Sequence, residues 1–223
     1  MHEIASQMPS NSPPDVLICS VGGGGLINGI CQALDTLDMP LPTVLAVETA
    51  GADSLAASLA ADKVVTLPKI TSQATSLGCV RVTDTTYKYA CRENVRSVVL
   101  SDEVAAMGCW RLADDERMMV ELACGVNVAL CYDGRLEKAL GRPVRREDKV
   151  VIVLCGGSNV TSGMLCEWRS EYGSLLEREL ELQRTDSAYT SAEASPKTEA
   201  CVSSELEVPV LTGIEVGSLE VRV

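Results

Sequence analysis

Four consecutive glycines, Gly22 to Gly25, stand between an apolar run, Val16 to Val21, and a stretch of helical pattern that starts at Leu26. Such a loop puts no side chain between its backbone and whatever occupies the turn, and each of its positions accepts a positive φ. The N–H groups at a helix N-terminus are unpaired, point into the same space and favour negative charge. The chemistry on offer is therefore a phosphate cradle. Two common phosphate motifs fail on spacing. A P-loop needs a lysine after its last glycine, and Ile30 follows Gly29. A dinucleotide fingerprint needs GxGxxG, and the third glycine falls on Ile27 or Asn28 when counted from Gly22 or Gly23. A phosphate held by backbone alone, with no lysine and no nucleotide signature, suits a small phosphorylated cofactor. The alternative is a glycine-rich turn with no ligand.

A second motif has the same layout. Val150-Val-Ile-Val-Leu-Cys155-Gly-Gly-Ser158-Asn159 is an apolar run that ends in glycines and polar residues. Taken together, the two segments resemble the pyridoxal-phosphate enzymes of the tryptophan synthase β fold (fold type II), and within them the L-serine dehydratase, or serine/threonine ammonia-lyase, branch. Three segments between the motifs are similar to the same family: Ala46-Val-Glu48-Thr-Ala-Gly-Ala52-Asp-Ser54, Leu67-Pro-Lys-Ile-Thr71, and Asp114-Asp-Glu-Arg-Met-Met-Val-Glu121-Leu-Ala-Cys-Gly125. The resemblance covers residues 3 to 173 and does not extend to 174–223.

The resemblance implies roles. Gly22, Gly23, Gly24 and Gly25 hold the phosphate of pyridoxal 5′-phosphate. Cys155 faces the pyridine nitrogen, and Gly156 with Gly157 lets the backbone approach. A thiol is a weak, nearly neutral donor. It suits elimination of a β-hydroxyl better than transamination. The bland reading of Cys155 is a small apolar filler at a strand end. Glu48, Ala52, Ser54, Leu77 and Cys79 match the positions at which the branch binds a structural cation. Oxygen ligands of that kind suit K⁺, Mg²⁺ or Ca²⁺ rather than zinc, and a hydroxyl at Ser54 points to a monovalent ion. The bland reading of Glu48 is a strand-end acid that caps a helix. Ser158 and Asn159 either bond nearby groups or cap the next helix. Glu121 is given no catalytic role.

The family's Schiff-base lysine stands in a Ser-x-Lys-x-Arg segment, and its substrate-carboxylate loop reads Ser-x-Gly-Asn. Neither pattern occurs here, and Lys63, Lys69, Lys88, Lys138, Lys149 and Lys197 all lack that context. The expectation is a chain that is incomplete at the N-terminus, with no catalytic residue of its own. It would be a truncated and inactive form of an enzyme that converts L-serine or L-threonine to a 2-oxo acid and ammonia. The alternative is a non-catalytic, cofactor-binding paralogue that associates with a full-length subunit. The family implies a small amino-acid substrate and a homodimer.

Strands must carry these loops, and the pattern supplies them. Val16–Cys19, Thr43–Val47, Ser97–Leu100 and Val150–Leu154 read as strands, with Val64–Leu67 extended. Helices are expected over 26–37, from Asp53 or Ser54 to Ala61, over 84–94, 101–116, 120–140 and 161–172. Alternation of this kind predicts an α/β fold, a parallel twisted sheet flanked by helices, whose ligands sit beyond the carboxyl ends of the strands. Residues 1–173 form the expected catalytic-domain part. Residues 174–223 carry ten acids and four bases and are expected to be an acidic, disordered tail, apart from Leu175–Gln183, which could extend a helix.

Composition limits the rest. The net charge of −12 argues against nucleic-acid binding. No apolar run reaches membrane-spanning length, and the N-terminal residues do not read as a signal peptide. Ten scattered cysteines without a CxxC pair, and His2 as the single histidine, argue against zinc. They suggest free thiols in a reducing cytoplasm. Cys19, Cys31 and Cys155 are expected to be buried.

Overall fold

The computed structural model describes residues 1–9 and 12–193 of the 223-residue chain. Its centre is a four-stranded, all-parallel sheet of β1 (Val16–Ser20), β2 (Thr43–Thr49), β3 (Val95–Leu100) and β4 (Val150–Ile152), in the order β3-β2-β1-β4. The helices are α1 (His2–Gln7), α2 (Gly25–Leu34), α3 (Ser54–Ala60), α4 (Asp84–Ala90), α5 (Asp102–Glu116), α6 (Leu122–Val128), α7 (Arg135–Leu140) and α8 (Ser162–Glu193). None of the helices among the described residues is long and apolar enough to cross a membrane.

β1 is an unbroken apolar run because both faces of the sheet are covered. Its residues alternate between two cores. Val16 and Ile18 join Leu45 and Val47 under α5, α6 and the start of α8. Leu17 and Cys19 join Val44 and Ala46 on the other face, against Ile27, Ile30 and Leu34 of α2 and Leu55 of α3. Every residue of β1 is buried.

The strand order has one reversal. From β1 the chain moves outward through β2 to β3, then returns to the far side of β1 as β4. Open parallel sheets bind ligands at such a switch point, beyond the carboxyl ends of the two strands. Here those strands are β1 and β4, and the two glycine motifs follow them.

The helices α5 and α6 cross with almost no space between their backbones. A Cβ on Gly108 would sit 2.2 Å from the carbonyl oxygen of Gly125, and one on Gly125 would sit 2.4 Å from that of Ala105. This crossing seats α6, all of whose residues are buried, under the end of β4.

Two elements differ from expectation. The stretch 120–140 is not one helix: α6 ends in a 3₁₀ turn at Ala129–Cys131, and α7 begins at Arg135. Asp133 and Gly134 take φ of 58° and 68° and reverse the chain between them, which a helix cannot tolerate. The last helix runs beyond Tyr172 to Glu193, so the segment expected as a tail is helical over 174–193, and residues 194–223 lie outside the described residues.

Candidate functional site

The tetraglycine loop closes β1 and opens α2. Gly24 is the helix N-cap, in a left-handed conformation with φ of 99°. A side chain is impossible there: its Cβ would lie 1.8 Å from Thr86 Oγ1. Thr86 is fully buried and belongs to a small polar platform under the loop. Thr83 caps α4 by accepting from Thr86 N at 3.1 Å, and its hydroxyl bonds that of Thr86 at 2.7 Å. Thr83 N and Thr86 Oγ1 both donate to the carbonyl oxygen of Gly23, at 3.2 and 3.4 Å. Asn28 donates its side-chain amide to Thr83 Oγ1 at 3.1 Å.

The opposite side of the loop is open. A Cβ built on Gly25 meets nothing within 4 Å. No acceptor among the described residues takes the N–H of Gly22, Gly23, Gly24 or Gly25. An unpaired set of backbone donors at the start of a ten-residue helix, with open space at Gly25, fits a phosphate group.

The second loop lies alongside. Val153 N donates to Ile18 O at 2.9 Å, so the pairing of β4 with β1 extends to the edge of the CGGSN segment. Gly156 has φ of 132° with nothing near its Cβ position, whereas a Cβ on Gly157 would strike Met119 O at 2.4 Å. Glu121 N donates to Gly156 O at 3.2 Å. Cys155 is exposed, which corrects the expectation of a buried thiol and removes the reading of it as an apolar filler. Its backbone N–H donates to Cys124 Sγ at 2.9 Å. A hydrogen bond from the Cys124 thiol, helped by the Ser20 hydroxyl, holds the Cys155 thiol below its ordinary value, against the opposing effects of burial and of Glu121. Cys124 is driven the other way by that same bond and by burial.

Glu48, near the carboxyl end of β2, and Ser54, the first residue of α3, occupy a third, buried place; both are 0 % exposed. The Glu48 carboxylate accepts from Leu55 N at 2.8 Å and Ala56 N at 2.9 Å, closing the N-terminus of α3. The capping role is thus real, and it belongs to Glu48, since Asp53 and Ser54 make no side-chain cap. Burial pushes the Glu48 carboxyl up to about 7, the two N–H donors oppose the rise, and Asp53 adds to it. Ser54 Oγ has no partner among the described residues. Ala52 is buried beside them, and Leu77 closes a 3₁₀ turn whose carbonyl oxygen lies 3.0 Å from the Cβ position of Gly22. Cys79 Sγ lies 3.4 Å from the Cβ position of Gly23 and donates to Arg81 O. Leu77 and Cys79 therefore touch the glycine loop itself.

Some site residues were not expected from sequence. Cys124 underlies Cys155. Asn127, fully buried, donates to Val153 O at 3.2 Å and steadies the end of β4. Asn159 reaches Ser76 Oγ at 3.5 Å, Ser76 donates to Glu121 at 2.7 Å, and Thr161 rather than Ser158 or Asn159 caps α8.

Residues 1–156 match a family described as pyridoxal-phosphate dependent enzyme. A Saccharomyces cerevisiae protein named as a truncated L-serine dehydratase is 44% identical over 166 residues, 71% of this chain and 79% of that protein. A serine dehydratase-like protein of Rattus norvegicus is 40% identical over 162 residues, 72% of this chain and 49% of the relative. Among solved structures, a fungal L-serine ammonia-lyase from Rhizomucor miehei is similar, with a TM-score of 0.71 at 34% identity over 77% of this chain and 54% of that one. Against these last two proteins the chain spans about half the length.

Proposed function

The chain belongs to the pyridoxal-phosphate-dependent enzymes, in their L-serine dehydratase branch, and from that premise we propose that residues 1–223 supply the phosphate and pyridine end of a serine/threonine ammonia-lyase site without supplying its lysine. The observation that carries this reading is the row of N–H groups at Gly22–Gly25 that have no acceptor among the described residues, with open space at Gly25, at the β1/β4 switch point that the Cys155 loop also borders. When bound, pyridoxal phosphate supplies the electron sink for loss of the Cα proton and β-hydroxyl of an amino acid. Gly22 to Gly25 bind its phosphate through backbone donors. Cys155 would meet the pyridine nitrogen with its sulfur. Gly156 leaves room for close backbone approach.

Removal of the Cα proton requires a base, and no lysine of residues 1–223 stands in a Ser-x-Lys-x-Arg segment. This polypeptide alone is therefore expected to convert serine or threonine to the 2-oxo acid and ammonia at no more than a trace rate.

Glu48, Ala52, Ser54, Leu77 and Cys79 form the proposed cation site, with K⁺ as the ion. Its support is the fully buried Ser54 hydroxyl without a partner beside a fully buried carboxylate. The ion would neutralise Glu48 and brace the turn under Gly22. A homodimer in the cytoplasm, acting in amino-acid metabolism, completes the proposal.

The test is a titration of the folded chain with pyridoxal 5′-phosphate and, in parallel, with pyridoxal. Saturable binding that depends on the phosphate is expected, together with no lysine modified after borohydride. Absence of saturable binding by the folded chain would overturn the cradle. A borohydride-fixed lysine together with pyruvate from serine would overturn the missing base.

A further inference from the structure

Two cysteines meet at the proposed cofactor site, one exposed and one sealed. Cys155 closes the β4 extension and is exposed, whereas Cys124 lies in the middle of α6 at 0% exposure. The Cys124 sulfur lies 2.9 Å from the Cys155 backbone nitrogen. The Cys124 thiol also hydrogen-bonds the Cys155 sulfur, so the two sulfurs already lie within reach of each other. The α5–α6 crossing at Gly108 and Gly125 fixes Cys124 in depth, and the bond from Glu121 N to Gly156 O fixes the loop above it.

We propose that Cys124 and Cys155 form an oxidisable dithiol, a modification site at which a hydroperoxide converts the pair to a disulfide and thereby withdraws Cys155 from the cofactor. The exposed sulfur attacks the peroxide oxygen; the O–O bond breaks, one water leaves, and Cys155 becomes a sulfenic acid. The Cys124 sulfur then attacks that sulfur, the S–O bond breaks, and a second water carries away the hydroxyl and the thiol proton. Two thiols and one hydrogen peroxide give one disulfide and two waters. An exposed thiolate with a resolving thiol at contact distance is the arrangement that makes oxidation selective. The hydrogen bond from Cys124 that favours the Cys155 thiolate supplies the first requirement. Burial protects Cys124 from direct attack, which orders the two steps.

The consequence for the cofactor rests on the function proposed above; the disulfide does not. In the experiment, the reduced full chain is exposed to one equivalent of hydrogen peroxide, quenched with N-ethylmaleimide, digested and mapped by mass spectrometry. The expected product is a cross-link between the Cys124 and Cys155 peptides, formed about tenfold or more faster than oxidation of any other thiol, because thiolate fraction sets the rate. C124S is expected to leave Cys155 as a sulfenic acid trapped by dimedone, and C155S to leave Cys124 unoxidised. Cross-links to another cysteine, or oxidation of Cys155 beyond the sulfenic stage with Cys124 still present, would overturn the proposal. A far-ultraviolet spectrum of each variant shows that it folds, and the wild-type map stands without the variants. Pyridoxal 5′-phosphate at saturation is expected to slow the cross-link severalfold. Equal rates with and without it would support the dithiol and overturn the placement of Cys155 against the cofactor.

Discussion

Glu48 and Ser54 are equally buried at the carboxyl end of β2, yet Glu48 has both carboxylate oxygens bonded to the N-terminus of α3 while the Ser54 hydroxyl has no partner among the described residues. A buried carboxylate held only by neutral donors keeps a large desolvation cost. A cation in contact with both side chains would remove that cost and satisfy the hydroxyl.

The first prediction concerns pH and that carboxylate. Its value in the folded chain, about 7, lies above the unfolded 4.5. The folded state therefore binds the proton more tightly. Its contribution to stability is complete below pH 4.5 and is lost as pH rises through 7, up to about 3 kcal/mol. Urea unfolding at pH 5 and at pH 8 should show this loss in the wild type and not in Glu48→Gln. K⁺ should raise the melting temperature more at pH 8 than at pH 5, and that difference should vanish in the variant. A wild type and variant with parallel pH profiles would exclude Glu48 as the source.

Gly24 and Gly25 are adjacent and should respond differently. Gly24→Ala imposes a left-handed φ on a residue with a Cβ and drives it into Thr86. The backbone conformation alone costs about 1–2 kcal/mol, and the clash adds to it. The variant should melt well below the wild type. Gly25→Ala meets nothing and should retain the melting temperature. Its methyl group stands where the phosphate is proposed, so pyridoxal phosphate should bind about tenfold or more weakly, as measured by absorbance titration, a change of about 1.4 kcal/mol. Unaltered affinity would move the phosphate elsewhere.

The clasp at the start of β4 gives a third prediction. Asp148 accepts from Arg142 Nη1, from Arg145 N at 2.8 Å and from Arg145 Nη2 at 3.0 Å, immediately before the strand that leads to Cys155. The Arg142 hydrogen bond, with those from Arg145, holds the Asp148 carboxyl far below its ordinary value. Its stabilising contribution is present above pH 4 and fades only in stronger acid. β4 has just three residues, so Asp148→Asn should expose the amides of 150–153 to faster hydrogen exchange at neutral pH. The amides of β2 should be unchanged. Equal protection of β4 in both proteins would show that the clasp does not hold the strand.

Part of this arrangement can be read along the chain and part cannot. β1 and β4 declare themselves because strands covered on both faces must be apolar throughout, and the glycines declare the turns that follow. The break at Asp133-Gly134 also had a local signal, an Asp-Gly turn, outweighed by the helical spacing on either side. Contacts across the fold left no such trace. Thr86 lies 63 residues from the Gly23 carbonyl it bonds, and Cys124 lies 31 residues before the Cys155 nitrogen that bonds it. Such pairings depend on which strand lies beside which, and the strand order is a property of the whole sheet.

The crossing of α5 and α6 ties the core to the site, and Gly125→Ala tests it. The added methyl group would press on Cys109 Sγ at 2.2 Å and on the backbone oxygen of Ala105 at 2.4 Å. The sulfur can rotate away, but the carbonyl is part of α5 and moves only if the helices separate. Overpacking of this kind costs about 1–3 kcal/mol, which exceeds the small gain in helix propensity from glycine to alanine. Separation would also lift Cys124 relative to Cys155 and Asn127 relative to Val153, since both contacts come from α6. The variant should therefore lose stability in urea unfolding and also bind pyridoxal phosphate less tightly. Ala123→Gly, two positions earlier on the same buried helix, should lose stability by weakening α6 without forcing the helices apart, and should keep its cofactor affinity. If both variants lose affinity in proportion to stability, the crossing serves the core alone.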